Sequence, residues 1–218
     1  MEFTTTILDQ ALLLLTGLTA VYLIYRFIQA FKEREDNKKH FIPLIVAFSV
    51  LFVSGVLVIL FDFAVLTRPE IKIVATLIPF GIAIGLMCEF YKKYAQYYKA
   101  FLLLGFILII LLNYGIIDTK LVYPIFHSIA GLTIFFIPIL AVRNKLAVKG
   151  FIGVTIGGTI IGIGGIALAF LGVGKPLLGI FTGELVFAII TTILLTMTLG
   201  FTYGYIKHIK NPIQNIID

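Results

Sequence analysis

The chain has 218 residues, of which 60% are hydrophobic and 13% charged, and its mean hydropathy is +1.10. Soluble domains carry about a quarter charged residues, and no soluble core can hide this much apolar side chain, so a water-soluble globular protein is excluded. A net charge of +6 suits a nucleic-acid partner in principle, but the placement of the charges points to a bilayer instead.

A membrane-spanning helix needs about 20 mostly apolar residues. The first such run covers 7–29. The chain opens with MEFTTTILD, which has no basic residue, whereas a secretory signal opens with a positive region, so the run is read as a span. The basic stretch KEREDNKKH (32–40) separates it from a second run at 42–66, and TRPE (67–70) leads into a third at 71–91. KKYAQYY (92–98) reads as a break before the fourth run at 98–117. DTK (118–120) precedes the fifth at 121–142, RNKLAVK (143–149) the sixth at 150–173, and GVGKP (172–176) the seventh at 177–205. The expected fold class is an all-α integral membrane protein, one heptahelical domain over residues 1–218.

Lys and Arg near span ends stay cytoplasmic. Arg26, Lys32, Arg34, Lys38, Lys39, Lys92, Lys93, Lys99, Arg143, Lys145, Lys149, Lys207 and Lys210 collect on one side. Only Arg68, Lys72, Lys120 and Lys175 fall on the other. That bias predicts an external N-terminus, an internal C-terminus and a place in the cell membrane. The basic clusters are then topology signals and contacts for anionic lipid, and no nucleic acid is expected.

Helices in lipid associate through small residues. The sixth run, GFIGVTIGGTIIGIGGIALAFLG, places Gly153 four before Gly157 and Gly158 four before Gly162, so two neighbouring faces are expected to meet partner helices. A phosphate-cradling loop needs a preceding strand and a following Lys-Ser/Thr, and neither is present. Gly81 and Gly85 repeat the spacing in the third run. Pro43, Pro79 and Pro138 lie inside runs, where each removes a hydrogen bond and kinks a helix. Tyr91, Tyr94, Tyr97, Tyr98, Tyr203 and Tyr205 gather near the inner boundary, as an aromatic belt does.

Ionisable groups inside a membrane are costly and therefore informative. Most fall in the outer half. Asp9 lies near the outer end of the first span and Asp62 about one turn below the outer end of the second. His127, in PIFHSIAG, and Glu184 each enter about two turns, and Asn113 lies near the outer end of the fourth span. Thr191 and Thr198 continue the face of Glu184 at seven-residue spacing. His127, Glu184 and Asp62, with Asn113 and Asp9 beside them, are expected to line an outward-opening polar pocket, with a hydrogen bond from His127 to a carboxylate. In the inner half, Glu89 precedes Lys92 and Lys93 by three and four residues, so it is expected to pair along its own helix. Cys88 is the single cysteine and reads as a small buried residue.

Retinal binding is excluded, and several other chemistries are not expected. The seventh run has no lysine at mid-depth, so no retinal Schiff base forms. A bis-histidine haem needs two histidines at one depth in facing helices. His127 has no such mate, although His40 and His208 share the inner edge. No GxSxG elbow or metal-phosphate motif appears, and His127 and Ser128 diverge by about 100° on a helix, so enzymatic activity is not expected. A metal hydrolase would have to draw its three ligands from His127, Asp62 and Glu184. The leading expectation is a receptor or sensor-type module binding a small ligand or ion, without a cofactor. A small-solute or proton-coupled transporter is the first alternative, although spans one to three and five to seven show no sequence repeat. A subunit of a larger membrane complex, held through the basic inner loops or the glycine-rich sixth span, is the second.

Overall fold

Thr6 starts the first helix. Its hydroxyl accepts the Asp9 amide N–H, and the Asp9 carboxylate accepts the Thr6 amide N–H, a reciprocal capping box. The computed structural model describes residues 4–35, 38–119, 121–172 and 175–211, with the backbone alone over 168–172. Lys120, expected at the outer rim, lies outside the described residues.

Helix α1 spans Ile7–Glu33. A 3-10 turn at Lys38–His40 leads into α2, Phe41–Phe61. Helices α3, Pro69–Ala75, and α4, Leu77–Phe90, together make the third crossing. Then follow α5 (Lys92–Asn113), α6 (Val122–Arg143), α7 (Ile152–Gly172) and α8 (Gly183–Lys210). Among the described residues seven segments are long and apolar enough to cross a membrane. Large apolar side chains such as Leu60, Leu103, Leu132 and Ile163 point outward and exposed. A soluble surface does not carry that many, whereas hydrocarbon solvates them, and the chain is an integral membrane protein.

Several boundaries differ from expectation. Helix α2 stops at Phe61 because Asp62 takes φ 58 and ψ −179, and a 3-10 turn follows at Phe63–Thr67. Helix α5 begins at Lys92, so KKYAQYY is helical; only Tyr91, at φ −132 and ψ 54, separates α5 from α4. Helix α8 begins at Gly183, since Pro176–Phe181 folds into a turn through positive φ at Leu178 and Gly179. The expected proline kinks are also fewer. Pro43 and Pro79 occupy the first turns of α2 and α4, where the missing N–H has no intrahelical acceptor, and Pro138 alone of the three is interior.

Helix α1 packs on α2, α2 on α4, α4 on α6, α6 on α7, α7 on α8, and α8 back on α1. The result is a closed ring in which α5 stands outside, against α4 and α6. Alternating direction gives two faces. The N-terminal face carries the starts of α1 and α8, and the C-terminal face carries their ends.

Close backbone approach explains the glycines. A Cβ on Gly153 would lie 2.8 Å from the Gly200 carbonyl oxygen, and one on Gly204 would lie 2.7 Å from the Val154 nitrogen, so α7 and α8 touch through their main chains. Gly158 meets Ile134 of α6, while Gly162 and Gly165 face open space. Gly81 does the same work for α4, 2.5 Å from the Pro43 carbonyl of α2 by the same measure.

Toward the C-terminal face, aromatic rings fill the ring's interior. Tyr205 stands edge-on to Phe27 at 5.2 Å and to Phe151 at 5.6 Å, and Phe201 is edge-on to Phe48 at 6.0 Å. Tyr205 is buried and belongs to this core rather than to the aromatic belt, whereas Tyr94, Tyr97 and Tyr203 are exposed at the boundary. Tyr98 is half-buried and shares a 2.7 Å hydrogen bond with Thr133 of α6.

Candidate functional site

At the N-terminal face the capping of α1 leaves the Asp9 carboxylate aimed at α8. Its Oδ2 accepts the Thr6 hydroxyl at 2.7 Å and the Thr6 N–H at 2.9 Å. Its Oδ1 accepts the hydroxyl of Thr191 on α8 at 2.8 Å. Both Asp9 and Thr191 are buried. These donors are neutral, so they solvate the carboxylate without cancelling its charge.

A cavity of about 250 Å³ opens beside this contact, lined by Asp9, Glu184, Thr4, Thr6, Phe63, Phe187 and Ala188. Phe63 and Phe187 meet edge-on at 5.6 Å and form its apolar wall. Asp62 borders it through the chain between Thr4 and Thr6: its Oδ1 accepts both the N–H and the hydroxyl of Thr5, each at 2.7 Å. That pair holds the Asp62 carboxyl below its usual range. The segment before α1 is thereby pinned to the end of α2.

The structure therefore gathers Asp9, Glu184 and Asp62 at one face. Glu184 is shallower than its sequence position implies. It is the second residue of α8 and exposed, because the turn at Pro176–Phe181 delays the helix.

His127 is not part of this group. It sits on α6, which packs on α4, α5 and α7 but on neither α1 nor α8. Its ring stacks on Tyr123 at 5.3 Å, and among the described residues its buried Nδ1 has no hydrogen-bond partner. The expected bond to a carboxylate is therefore not formed there. Asn113 donates its amide to the Ile109 carbonyl of its own helix at 2.8 Å.

A second cluster lies at the C-terminal face. Glu89 is buried at 8% exposure, with His208 Nε2 at 2.9 Å, His40 Nε2 at 3.5 Å and an Arg34 nitrogen at 3.6 Å from the same Oε1. The expected pairing of Glu89 with Lys92 and Lys93 fails because Tyr91 breaks the helix and puts both lysines on α5. The partners come instead from α1, the turn before α2, and α8. The sequence signal for this cluster was the shared inner edge of His40 and His208. Among the described residues no group of three His, Cys, Asp or Glu has the geometry to hold a metal ion.

Comparisons with protein-family models, with curated proteins and with solved structures find no match. The functional reading rests on these two clusters.

The faces are joined along α8. Thr191 and Thr198 are fully buried on the face that leads from Glu184 toward Tyr205 and His208. Their hydroxyls bond Asp9 and the Leu194 carbonyl. The arrangement can attract and hold positive charge at one face, and can hold or exchange a proton between a carboxylate and two imidazoles at the other.

Proposed function

We propose that the protein is a receptor or sensor-type membrane module that binds a small cation at the N-terminal face, with that face outside the cell membrane. The observation that carries this reading is the cavity lined by Asp9 and Glu184 with, among the described residues, no Lys or Arg in its lining. Two carboxylates beside a low-dielectric wall favour positive charge, and the faces of Phe63 and Phe187 favour an organic ammonium over a fully hydrated metal ion. At about 250 Å³ the cavity is smaller than drug-sized pockets, which begin near ~300 Å³, so the ligand is small.

The test uses the full chain in detergent, with ethylammonium, sodium and acetate as probes and thermal unfolding as readout. Ethylammonium is expected to raise the midpoint, by linkage of binding to folding. Glu184→Gln, which keeps the shape and removes one charge, is expected to abolish most of the rise. Equal shifts from acetate and ethylammonium, or an unchanged response in the variant, overturn the proposal.

Transport of the same cation is the second reading. It is favoured by the buried polar face of α8 between the two clusters, and by the ring itself. Spans one to three and five to seven form consecutive triplets of the ring, with the fourth span outside. Parallel triplets of this kind occur in transporters. Proteoliposomes that show no ethylammonium or proton flux above empty liposomes remove it.

A further inference from the structure

Helices α2 and α5 both pack on α4 but not on each other, because Gly81 draws α4 tightly onto α2 while α5 stands outside the ring. The gap is a groove of about 460 Å³ floored by α4. Its walls are apolar: Val46 from α2, Ile84 from α4, and Leu103 and Phe106 from α5. Among the described residues two charges line it, Lys39 and Lys99, and both belong to its C-terminal-face end. Among the described residues no carboxylate lines the groove and neither lysine has an ion-pair partner. We propose that this groove is a binding site for one anionic phospholipid of the leaflet at the C-terminal face.

Dimensions and charge agree on that occupant. Along α4 the lining runs from Leu77 to Cys88, which at ~1.5 Å per residue is about 16 Å. Half of a ~30 Å hydrocarbon core is about 15 Å, the reach of one leaflet's acyl chain. Lys99 starts below the interface, but a lysine stem lies along apolar surface while its ammonium rises to the headgroups. Lys39, at the entry to α2, reaches the same level. Cations from two elements then flank one phosphate, and the apolar walls receive one chain. A zwitterionic lipid offers the same chain but brings its own ammonium to the lysines, so it is discriminated against.

The site is separate from the acidic cavity and does not depend on its reading. The experiment titrates delipidated full-length protein in detergent with dioleoyl phosphatidylglycerol, dioleoyl phosphatidylcholine or inorganic phosphate, and counts bound lipid by native mass spectrometry. One phosphatidylglycerol is expected to be retained preferentially. The pair Lys39→Gln, Lys99→Gln is expected to weaken it roughly 30-fold, about 2 kcal/mol at ~1 kcal/mol per lysine. The pair Lys92→Gln, Lys93→Gln removes equal charge from the same face outside the groove and is expected to leave retention unchanged. Leu103→Trp is expected to block the chain without altering charge. Equal loss in both lysine pairs means diffuse attraction and overturns the site. Equal retention of phosphatidylcholine also overturns it, as does competition by inorganic phosphate at the lipid's own concentration.

Discussion

The contact between α7 and α8 gives the sharpest test, because the two helices carry glycines of two kinds, some pressed against the partner's backbone and some with open space beside them. A methyl group at Gly204 would stand 2.7 Å from both the backbone nitrogen and a side-chain methyl of Val154. Carbon contacts are comfortable at about 3.5–4.0 Å, so the helices must part by most of an ångström, and a gap on that scale forfeits a quarter to a half of each contact along the seam. Overpacking of this sort costs about 1–3 kcal/mol, and the better helix propensity of alanine returns as much as ~1 kcal/mol. Gly204→Ala is therefore expected to lose about 1–2 kcal/mol. Gly162→Ala, on α7 but with nothing within 4 Å of the added methyl, is expected to be neutral or to gain up to ~1 kcal/mol. Equilibrium unfolding in mixed micelles, titrated with a denaturing detergent, measures both. If Gly162→Ala is as damaging as Gly204→Ala, or Gly204→Ala is silent, the direct backbone contact is wrong.

Three further outcomes are expected. Glu89→Gln removes the carboxylate shared by His208, His40 and Arg34 and is expected to cost about 3 kcal/mol in the same unfolding assay, at the low end for breaking a buried pair because Arg34 is partly exposed; wild-type stability would contradict the buried cluster. Thr191→Val keeps the shape but removes the donor to Asp9, and a loss of about 1.5 kcal/mol is expected, near the upper end for interhelical bonds in membranes, because the acceptor is charged. Asp62 titrates below its usual range because Thr5 donates to its ionised form; a lowered folded value means that the stabilisation is complete above the unfolded value near ~4 and is lost as pH falls through the folded one. The Thr5 amide resonance is thus expected to hold steady from neutral to about pH 4 and to move only below it, with no such transition in Asp62→Asn, and a midpoint above that value would refute the bond.

Much of the architecture was legible because hydropathy registers the bilayer directly. Each of the seven expected runs overlaps a helix, and on the sixth run Gly153 and Gly157 mark where α7 meets α8 and Gly158 where it meets α6, although Gly162, four residues on, meets no described neighbour. The errors cluster where local polarity was taken as a break or as a partner. KKYAQYY is polar yet helical, since helix formation at an interface tolerates charge. Glu89 had lysines at favourable spacing, but spacing confers contact only while the helix continues, and it stops at Phe90. Glu184 looked deep because its apolar run starts early, yet the turn at Pro176–Phe181 uses up those residues outside the helix.

The chain by itself determined that seven segments are long and apolar enough to cross a membrane, which segments those are, and how unequally charge is divided between their ends, because each of these follows from counting apolar and basic residues along one dimension. Tertiary structure decided the neighbours. It joined Asp9 to Thr191 across 182 residues of sequence, set Glu89 among His40, His208 and Arg34, moved α5 out of the ring, and left His127 apart from the acidic cavity. Those outcomes depend on which helix faces meet: glycine spacing marks a face that can approach a neighbour closely, but which helix lies against it, and how rings such as Tyr205 pack, have no signature in residue spacing alone.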